Sequence, residues 1–255
     1  MTTLSTQCIL LLTMDLNDRQ KQLLKAVIEL YAKNGEPVAS ETIERGYDLG
    51  ISPATIRNEM VKLTDLGYLK QPHTSAGRAP TSMGFRFYIS DLMKEKEVSV
   101  VDEVMIKQSV LDKRAHYQGM LKEATKTLAK KCGMLALAIT DKDGDIYYCG
   151  AANILDIPEF YDIDVTRFVL SLFDEFPTLR EIIGQAQGAD PIHIIFGDET
   201  GFEYLRPTGF AFTRYSEDTE NAGVIGVMGP ARMNCAVVFP YLRFVSSVLT
   251  ESGRF

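Results

Sequence analysis

The chain has 255 residues, 45% of them hydrophobic and 24% charged, with 19 Gly and 10 Pro. This is the composition of a globular protein with one large or two modest cores, not of a disordered, collagenous or disulfide-stapled chain. Its 27 Lys+Arg against 34 Asp+Glu give a net charge of −7, which excludes a uniformly basic nucleic-acid coat and requires any polyanion site to be local.

Residues 1–13, with the apolar run Cys8 to Leu12, read as an N-terminal tail. The run lacks a basic flank and is too short to span a bilayer, so no membrane association is expected. Met14 precedes the first well-patterned segment, and translation starting there is an expectation that the mass of the native N-terminus tests. The cysteines at 8, 132, 149 and 235 form no C-x-x-C pair, which argues against a zinc ribbon and for a reduced, cytoplasmic setting.

From Leu16 to Lys33 the residues Leu23, Leu24, Val27, Ile28, Leu30 and Tyr31 recur at helical spacing, and Gly35 supplies the stop. Pro37 and Ser40 open a second short helix ending near Gly46. Ser52-Pro53 opens a third, with Ser as N-cap and Pro at the first helical position, closing at Gly67. The last two helices, joined around Tyr47 to Ile51, form a helix-turn-helix pattern. A candidate strand over Tyr68–Gln71, a turn-rich loop from Pro72 to Pro80 and a helix over Thr81–Met93 complete a winged helix-turn-helix domain over residues 14–93.

Residues 94–102 read as a linker and Glu103–Lys131 as one long helix, so that 94–132 forms a connecting segment. Val110, Tyr117, Leu121, Ala124 and Leu128 keep a 3–4 spacing there, broken at Arg114, and read as a helical pairing surface. Beyond Gly133 the texture changes to short β-rich runs at 133–140, 146–150, 192–197 and 223–229, with helical stretches near 164–184 and 231–250. The fold class is therefore α+β, with an α+β domain over 133–255.

The charge divides unevenly. Residues 15–96 carry 12 Lys+Arg against 11 Asp+Glu, so the acidity belongs to the remainder. Within 52–88, Arg57, Lys62, Lys70, Arg78 and Arg86 face only Glu59 and Asp65, a modest basic footprint suited to contacts with a duplex backbone by a dimer.

At 100° per residue Ile56, Met60 and Leu63 form the buried stripe of the third helix. Ala54, Thr55, Asn58, Val61 and Lys62 then point outward and Arg57 lies on the flank. An amide at Asn58 can make a paired contact with adenine, and Thr55, Arg57 and Lys62 carry groups suited to base edges or phosphate. In the loop Gln71-Pro72-His73-Thr74-Ser75-Ala76-Gly77-Arg78, small residues let a backbone approach phosphate, and an arginine at a wing tip suits a narrow minor groove. The competing readings are a solvated helix face and an ordinary surface turn; the two features standing in sequence favour a DNA reader.

The stretch S-P-A-T-I-R-N-E-M-V-K-L-T-D-L-G-Y-L-K-Q-P-H-T-S-A-G-R-A-P-T at 52–81, flanked by G-E-P-V-A-S-E-T-I and G-F-R-F-Y-I, strongly resembles the HrcA family of bacterial heat-inducible transcription repressors. N-I-L-D-I-P-E-F at 153–160 and G-V-I-G-V-M-G-P-A-R-M at 223–233 resemble that family's C-terminal domain. The resemblance implies a homodimeric repressor of heat-shock genes, binding double-stranded DNA at an inverted-repeat operator called CIRCE. It also implies a GAF-like second domain, no catalytic role, and the GroE chaperonin as a partner that keeps the repressor active. Carried onto this chain it implies Ser52, Thr55, Arg57, Asn58 and Lys62 on the recognition helix and His73, Thr74, Ser75, Gly77 and Arg78 on the wing as DNA contacts.

The chain departs from the family in one place. L-A-L-A-I-T-D-K-D-G-D (135–145) runs straight into I-Y-Y-C-G-A-A-N-I-L-D (146–156), where the family pattern has a longer stretch with an inserted dimerisation subdomain. The expectation is that the 103–131 helix with the GAF-like sheet takes over dimerisation.

Other chemistry is weakly signalled. The spacing of Gly223, Gly226 and Gly229 matches neither a P-loop nor G-x-G-x-x-G, so strand packing is preferred to a nucleotide site, and Arg232 is expected to pair with a carboxylate. Asp141, Asp143 and Asp145 resemble the start of a calcium loop, but position twelve is Ala152, so a β-turn and no metal is expected. His193 and Cys149 lie in apolar runs and read as packed strand residues. No cofactor motif is present. Because a GAF-like domain can hold a small ligand beside its sheet, a metabolite-sensing winged-helix regulator is the alternative reading, distinguishable by a melting temperature that rises with ligand. A hydrolase or transferase ranks last, for want of a convergent acid, base and nucleophile.

Overall fold

In the computed structural model Asn17 opens the first helix by a reciprocal exchange: its Oδ1 accepts from the Gln20 amide at 3.0 Å, and Gln20 Oε1 accepts from the Asn17 amide at 3.1 Å. Two of the helix's unpaired N-terminal amides are thereby satisfied. The structure describes residues 16–114, 116–186, 190–217 and 219–252. The tail expected over 1–13 and the start expected at Met14 lie outside the described residues. The chain divides into two compact units, one ending at Met93 and the other beginning at Lys94.

In the first unit α1 (Asp18–Asn34), α2 (Ser40–Gly46) and α3 (Pro53–Asp65) are followed by a two-stranded antiparallel wing, β1 (Leu69–Lys70) and β2 (Ala79–Pro80), and then by α4 (Ser82–Phe87), which widens into a π turn over Tyr88–Leu92. Leu23, Leu24, Val27 and Ile28 of α1 are buried, as are Ile43, Ile56, Met60, Leu63, Leu69 and Phe85 on the elements packed together with it. The turn between α2 and α3 is held by Tyr47, whose hydroxyl donates to Glu29 Oε2 at 3.0 Å. Burial, and next the acceptor Glu29, push that phenol up to about 12.

The second unit is built on a five-stranded, wholly antiparallel sheet in the order β4-β3-β7-β6-β5. The strands are β3 (Leu135–Thr140), β4 (Ile146–Cys149), β5 (Ile192–Phe196), β6 (Thr208–Tyr215) and β7 (Gly223–Pro230). One face carries Leu135, Leu137, Ile139, Phe210, Phe212 and Met228, which share a buried cluster with residues of α7 (Ile163–Ser171) and α8 (Phe176–Gly184). The other face packs under α6 (Tyr117–Cys132) and α9 (Cys235–Ser252). With both faces covered, every residue of β3 and β7 is buried, which is why their sequences run apolar without alternation.

Two expectations are corrected here. The single helix expected over 103–131 is a hairpin: α5 (Val100–Leu111) ends at Leu111, α6 starts afresh at Tyr117, and the two pack on each other and on α9. Folding back lets Ile106 and Val110 of α5 and Leu121, Ala124 and Leu128 of α6 bury their faces in the same unit, which one straight helix could not do. The seam expected as a pairing surface is thus interior, with Val110, Leu121, Ala124 and Leu128 at 0% exposure. The segment is no free-standing connector, because Lys131 Nζ and the Tyr241 hydroxyl both bond Asp102 and clamp α5 to α6 and α9. The second correction is β6, a full central strand in a stretch where no strand was expected.

Candidate nucleic-acid interface

Helix α3 begins as its first two residues dictate. Ser52 Oγ accepts from the Thr55 amide at 3.3 Å and lies 3.0 Å from Thr55 Oγ1, while Pro53 occupies the first helical position. Ile56, Met60 and Leu63 are turned into the core, and Arg57, Asn58 and Lys62 stand exposed on the other side. Among the described residues Arg57 and Asn58 make no side-chain hydrogen bond, so both are available to a ligand. Ser52 and Thr55 are engaged in the cap. Lys62 is exposed along its stem, but its ammonium donates to Glu59 Oε1 at 2.8 Å.

Glu59 is a buried carboxylate on this helix, and its partners explain why burial is tolerated. Besides Lys62 it accepts from Gln20 Nε2 at 3.2 Å, and Gln20 is the same side chain that caps α1. A chain Asn17–Gln20–Glu59–Lys62 therefore fixes how α3 sits against the start of α1. The Lys62 hydrogen bond, first among several causes, holds the Glu59 carboxyl below its ordinary value, with burial opposing.

The wing follows. Lys70 pairs with Ala79 and Leu69 with Pro80, and the tip closes through the Ala76 amide on the His73 carbonyl at 2.8 Å. Gln71 Nε2 donates to the carbonyls of Thr74 at 2.9 Å and Ala76 at 3.0 Å, so the tip is held from below. His73, Thr74 and Ser75 are exposed at that tip.

Gly77 and Arg78 have other work in this structure. A Cβ on Gly77 would stand 2.3 Å from the Val38 carbonyl oxygen, because the chain here pairs with Val38 through two backbone hydrogen bonds of 2.8 Å to Arg78. The glycine's smallness is used by the protein's own backbone. Arg78, expected at the wing tip, is at its base: half-buried, with Nε donating to Thr64 Oγ1 at 3.0 Å. Thr64 in turn donates to the Met60 carbonyl at 2.8 Å. The register of the β1–β2 pair, set by the closed His73–Ala76 turn, places Arg78 beside α3 and leaves the tip to Thr74 and Ser75.

Four residues that position this surface were not singled out by the sequence reading: Gln20, Glu59, Thr64 and Gln71. The helical wheel carried a signal for Glu59, which falls on the flank of the buried stripe. The partners of the other three lie in different elements or close a turn, and no local pattern marks them.

In the second unit the features that resemble enzyme motifs are structural. Gly226 is in the middle of β7, and a Cβ there would stand 2.6 Å from the Phe210 ring and 2.7 Å from Phe212 Cβ; the glycine makes room for that stacked aromatic pair, whose centroids are 4.9 Å apart. Arg232 Nη2 donates to Glu159 Oε2 at 3.0 Å, with its Nε on the other carboxylate oxygen. Asp141 pairs with Arg214, and Asp145 accepts from the Tyr147 hydroxyl at 3.1 Å. His193 lies on β5 with its ring 5.4 Å from that of Phe212. Burial pushes the Cys132 and Cys235 thiols up to about 12, so neither is a thiolate nucleophile. No helix among the described residues is long and apolar enough to cross a membrane.

Comparison with known proteins agrees with both units. A family model described as the winged helix-turn-helix transcription repressor, HrcA DNA-binding domain, matches residues 15–91, and one described as the HrcA protein C-terminal domain matches residues 82–238. A heat-inducible transcription repressor HrcA from Desulforamulus reducens is 28% identical over 338 aligned positions, covering 94% of this chain and 97% of that protein. Its namesake from Symbiobacterium thermophilum is 26% identical over 338 positions, covering 94% and 99%. Those alignments are longer than the 255 residues of this chain, so the relatives hold residues at many positions where it has none. A crystal structure of a hypothetical protein is similar in fold, with a TM-score of 0.74 at 19% identity, covering 93% of this chain and 98% of that one.

Proposed function

Because the chain belongs to the HrcA family and is a DNA-binding transcription repressor, we propose that it acts as a homodimer whose two winged helices read an inverted-repeat operator of the CIRCE type upstream of chaperone genes. Each α3 enters the major groove of one half-site, with Asn58 on a base edge and Arg57 and Lys62 on base or phosphate. Ser52 and Thr55, at the helix start, meet the backbone. The wing lies along the flanking backbone, where the Thr74 and Ser75 hydroxyls and His73 donate to phosphate. Gly77 and Arg78 act from the wing's base, Gly77 by allowing the close approach to Val38 and Arg78 by locking the wing to α3 and presenting its remaining guanidinium donors.

The observation that carries this reading is the pairing of two exposed, outward polar side chains on α3, Arg57 and Asn58, with a wing fastened to the same helix through Arg78 and Thr64. A rigid pair of this kind presents a preorganised surface, so little ordering cost falls on binding. Footprinting of the purified chain on chaperone promoters tests it: protection of two symmetric half-sites supports the reading, and uniform protection of any duplex opposes it.

Heat induction fits the same arrangement. A dimer held by a modest contact separates on warming, and each half alone loses the benefit of simultaneous engagement. The family resemblance supports the GroE chaperonin as the factor that restores the active dimer, in a bacterial cytoplasm. Addition of chaperonin raising operator affinity after a heat pulse is the expected result.

A further inference from the structure

Glu59 puts a carboxylate where an apolar side chain would serve. It is 9% exposed beside the 59% exposed Lys62, and Ile56, Met60 and Leu63 already seat the buried side of α3 with apolar surface. A buried ion pair gains little stability over well-packed hydrophobic residues, because desolvation cancels most of the attraction. What the carboxylate does in this structure is hold an atom in place. Its Oε2 accepts from Gln20 Nε2 at 3.2 Å, and Gln20 is itself fixed, since its Oε1 accepts from the Asn17 amide at the start of α1. Its Oε1 then holds the Lys62 ammonium at 2.8 Å. The anchor is rigid, and the lysine is the partner free to move.

The other charges on the two helix segments do not compete for this place. Asp18, Arg19 and Lys21 at the start of α1 and Arg57 and Asp65 on α3 make no ion pair and no side-chain hydrogen bond among the described residues. Arg19 adds a positive influence on Glu59 without bonding it. Of the two cations on α3, Arg57 is unheld and Lys62 is held. Resting on the DNA-reading assignment above, we infer that Glu59 is a specificity-determining positioning residue, which keeps the Lys62 ammonium at one place on the outward face of α3. An ammonium on a flexible four-carbon stem is a point charge that, unheld, reaches a backbone phosphate on any duplex. Non-specific affinity is the sum of such contacts, each releasing counterions. Paired with Glu59, the lysine brings no net charge to an approaching polyanion, while two of its three N–H donors stay open to a group that the operator sets at that position. Discrimination then comes from weakening the wrong complexes.

Anisotropy titrations of the full chain at several salt concentrations test this, on the inverted-repeat duplex that its own footprint protects and on a random duplex of equal length. The variants are Glu59→Gln, Lys62→Gln and the two combined. Glutamine keeps the shape of glutamate and still accepts a hydrogen bond, and a melting curve at neutral pH checks that each variant folds. Glu59→Gln is expected to bind random duplex about fivefold tighter at about 0.15 M salt, with a salt dependence steeper by about one unit, the effect of one added phosphate contact. Operator affinity does not rise in step, so the preference for operator narrows by about the same factor. In the Lys62→Gln background the same change moves neither slope nor preference. A preference unchanged in Glu59→Gln, whatever the slope, overturns the inference. Equal weakening on both duplexes with a lowered melting temperature is one such case, and makes Glu59 only a seat for α3. A narrowing that persists without Lys62 overturns it as well. Each of these leaves the DNA-reading assignment standing, whereas a wild type that protects no inverted repeat, or binds both duplexes equally, overturns that assignment itself.

Discussion

Arg78 Nε donates to Thr64 Oγ1 at 3.0 Å, and this one hydrogen bond fastens the base of the wing to the last turn of the recognition helix. Because Thr64 is also bonded to the Met60 carbonyl, the acceptor is fixed before the arginine arrives. The wing and α3 therefore move as one body. Thr64→Val keeps the branched shape and removes the acceptor, at a cost of about 1 kcal/mol in stability. Its larger effect is on binding, where operator and random DNA weaken together because the wing, not base reading, is released. A melting curve and a pair of anisotropy titrations check both.

Asn58 is exposed and makes no side-chain hydrogen bond among the described residues, so its replacement leaves the fold alone. Asn58→Ala is expected to cost about 1–3 kcal/mol on operator DNA and little on random DNA. Arg78→Ala should weaken both and flatten the salt dependence by roughly one unit of slope if a guanidinium donor meets phosphate. Titrations at several salt concentrations separate the two patterns.

Glu59 makes stability pH-dependent on the acid side. Its carboxyl is held below 4.5, chiefly by the Lys62 hydrogen bond, so the folded value is lower than the unfolded one. Such a group adds stability that is fully present above the unfolded value and is lost as pH falls through the folded one. Glu59→Gln should flatten the fall in melting temperature below about pH 4.5, where ordinary carboxylates titrate. Thermal melts across an acid pH series measure this.

Gly77→Ala is a test of the wing's base. Its new Cβ would meet the Val38 carbonyl oxygen at 2.3 Å, so the Val38–Arg78 bridge must open or shift. The expected cost is about 1–3 kcal/mol, with the tip hydroxyls displaced and DNA affinity reduced on all sequences. Ser75→Ala, at the exposed tip, should leave stability unchanged.

Legibility in the sequence followed the range of the interaction. The Ser52 cap, the Pro53 start, the Gly35 stop and the outward set around Asn58 depend on residues within one turn, and a wheel or a cap pattern finds them. The Gln20–Glu59 bond spans 39 positions, and nothing local in either residue announces it. Arg78 shows the same limit at shorter range: its place at the wing's base depends on where the turn closes, not on its neighbours. Strand β6 was hidden because a central strand covered on both faces has no alternation to read. The break between α5 and α6 did leave a trace, Arg114 in an otherwise apolar seam, whose meaning lies in the two helices burying their faces together.

The central claim is that α3 with its fastened wing reads a symmetric duplex sequence. DNase footprinting of the full chain on the chaperone promoters of its own genome, run beside Asn58→Ala, tests it most directly. The account predicts two protected half-sites of an inverted repeat at concentrations that leave random DNA bare, with that protection lost in Asn58→Ala. Protection of no inverted repeat by the wild type, or an Asn58→Ala footprint identical to it, would contradict the account.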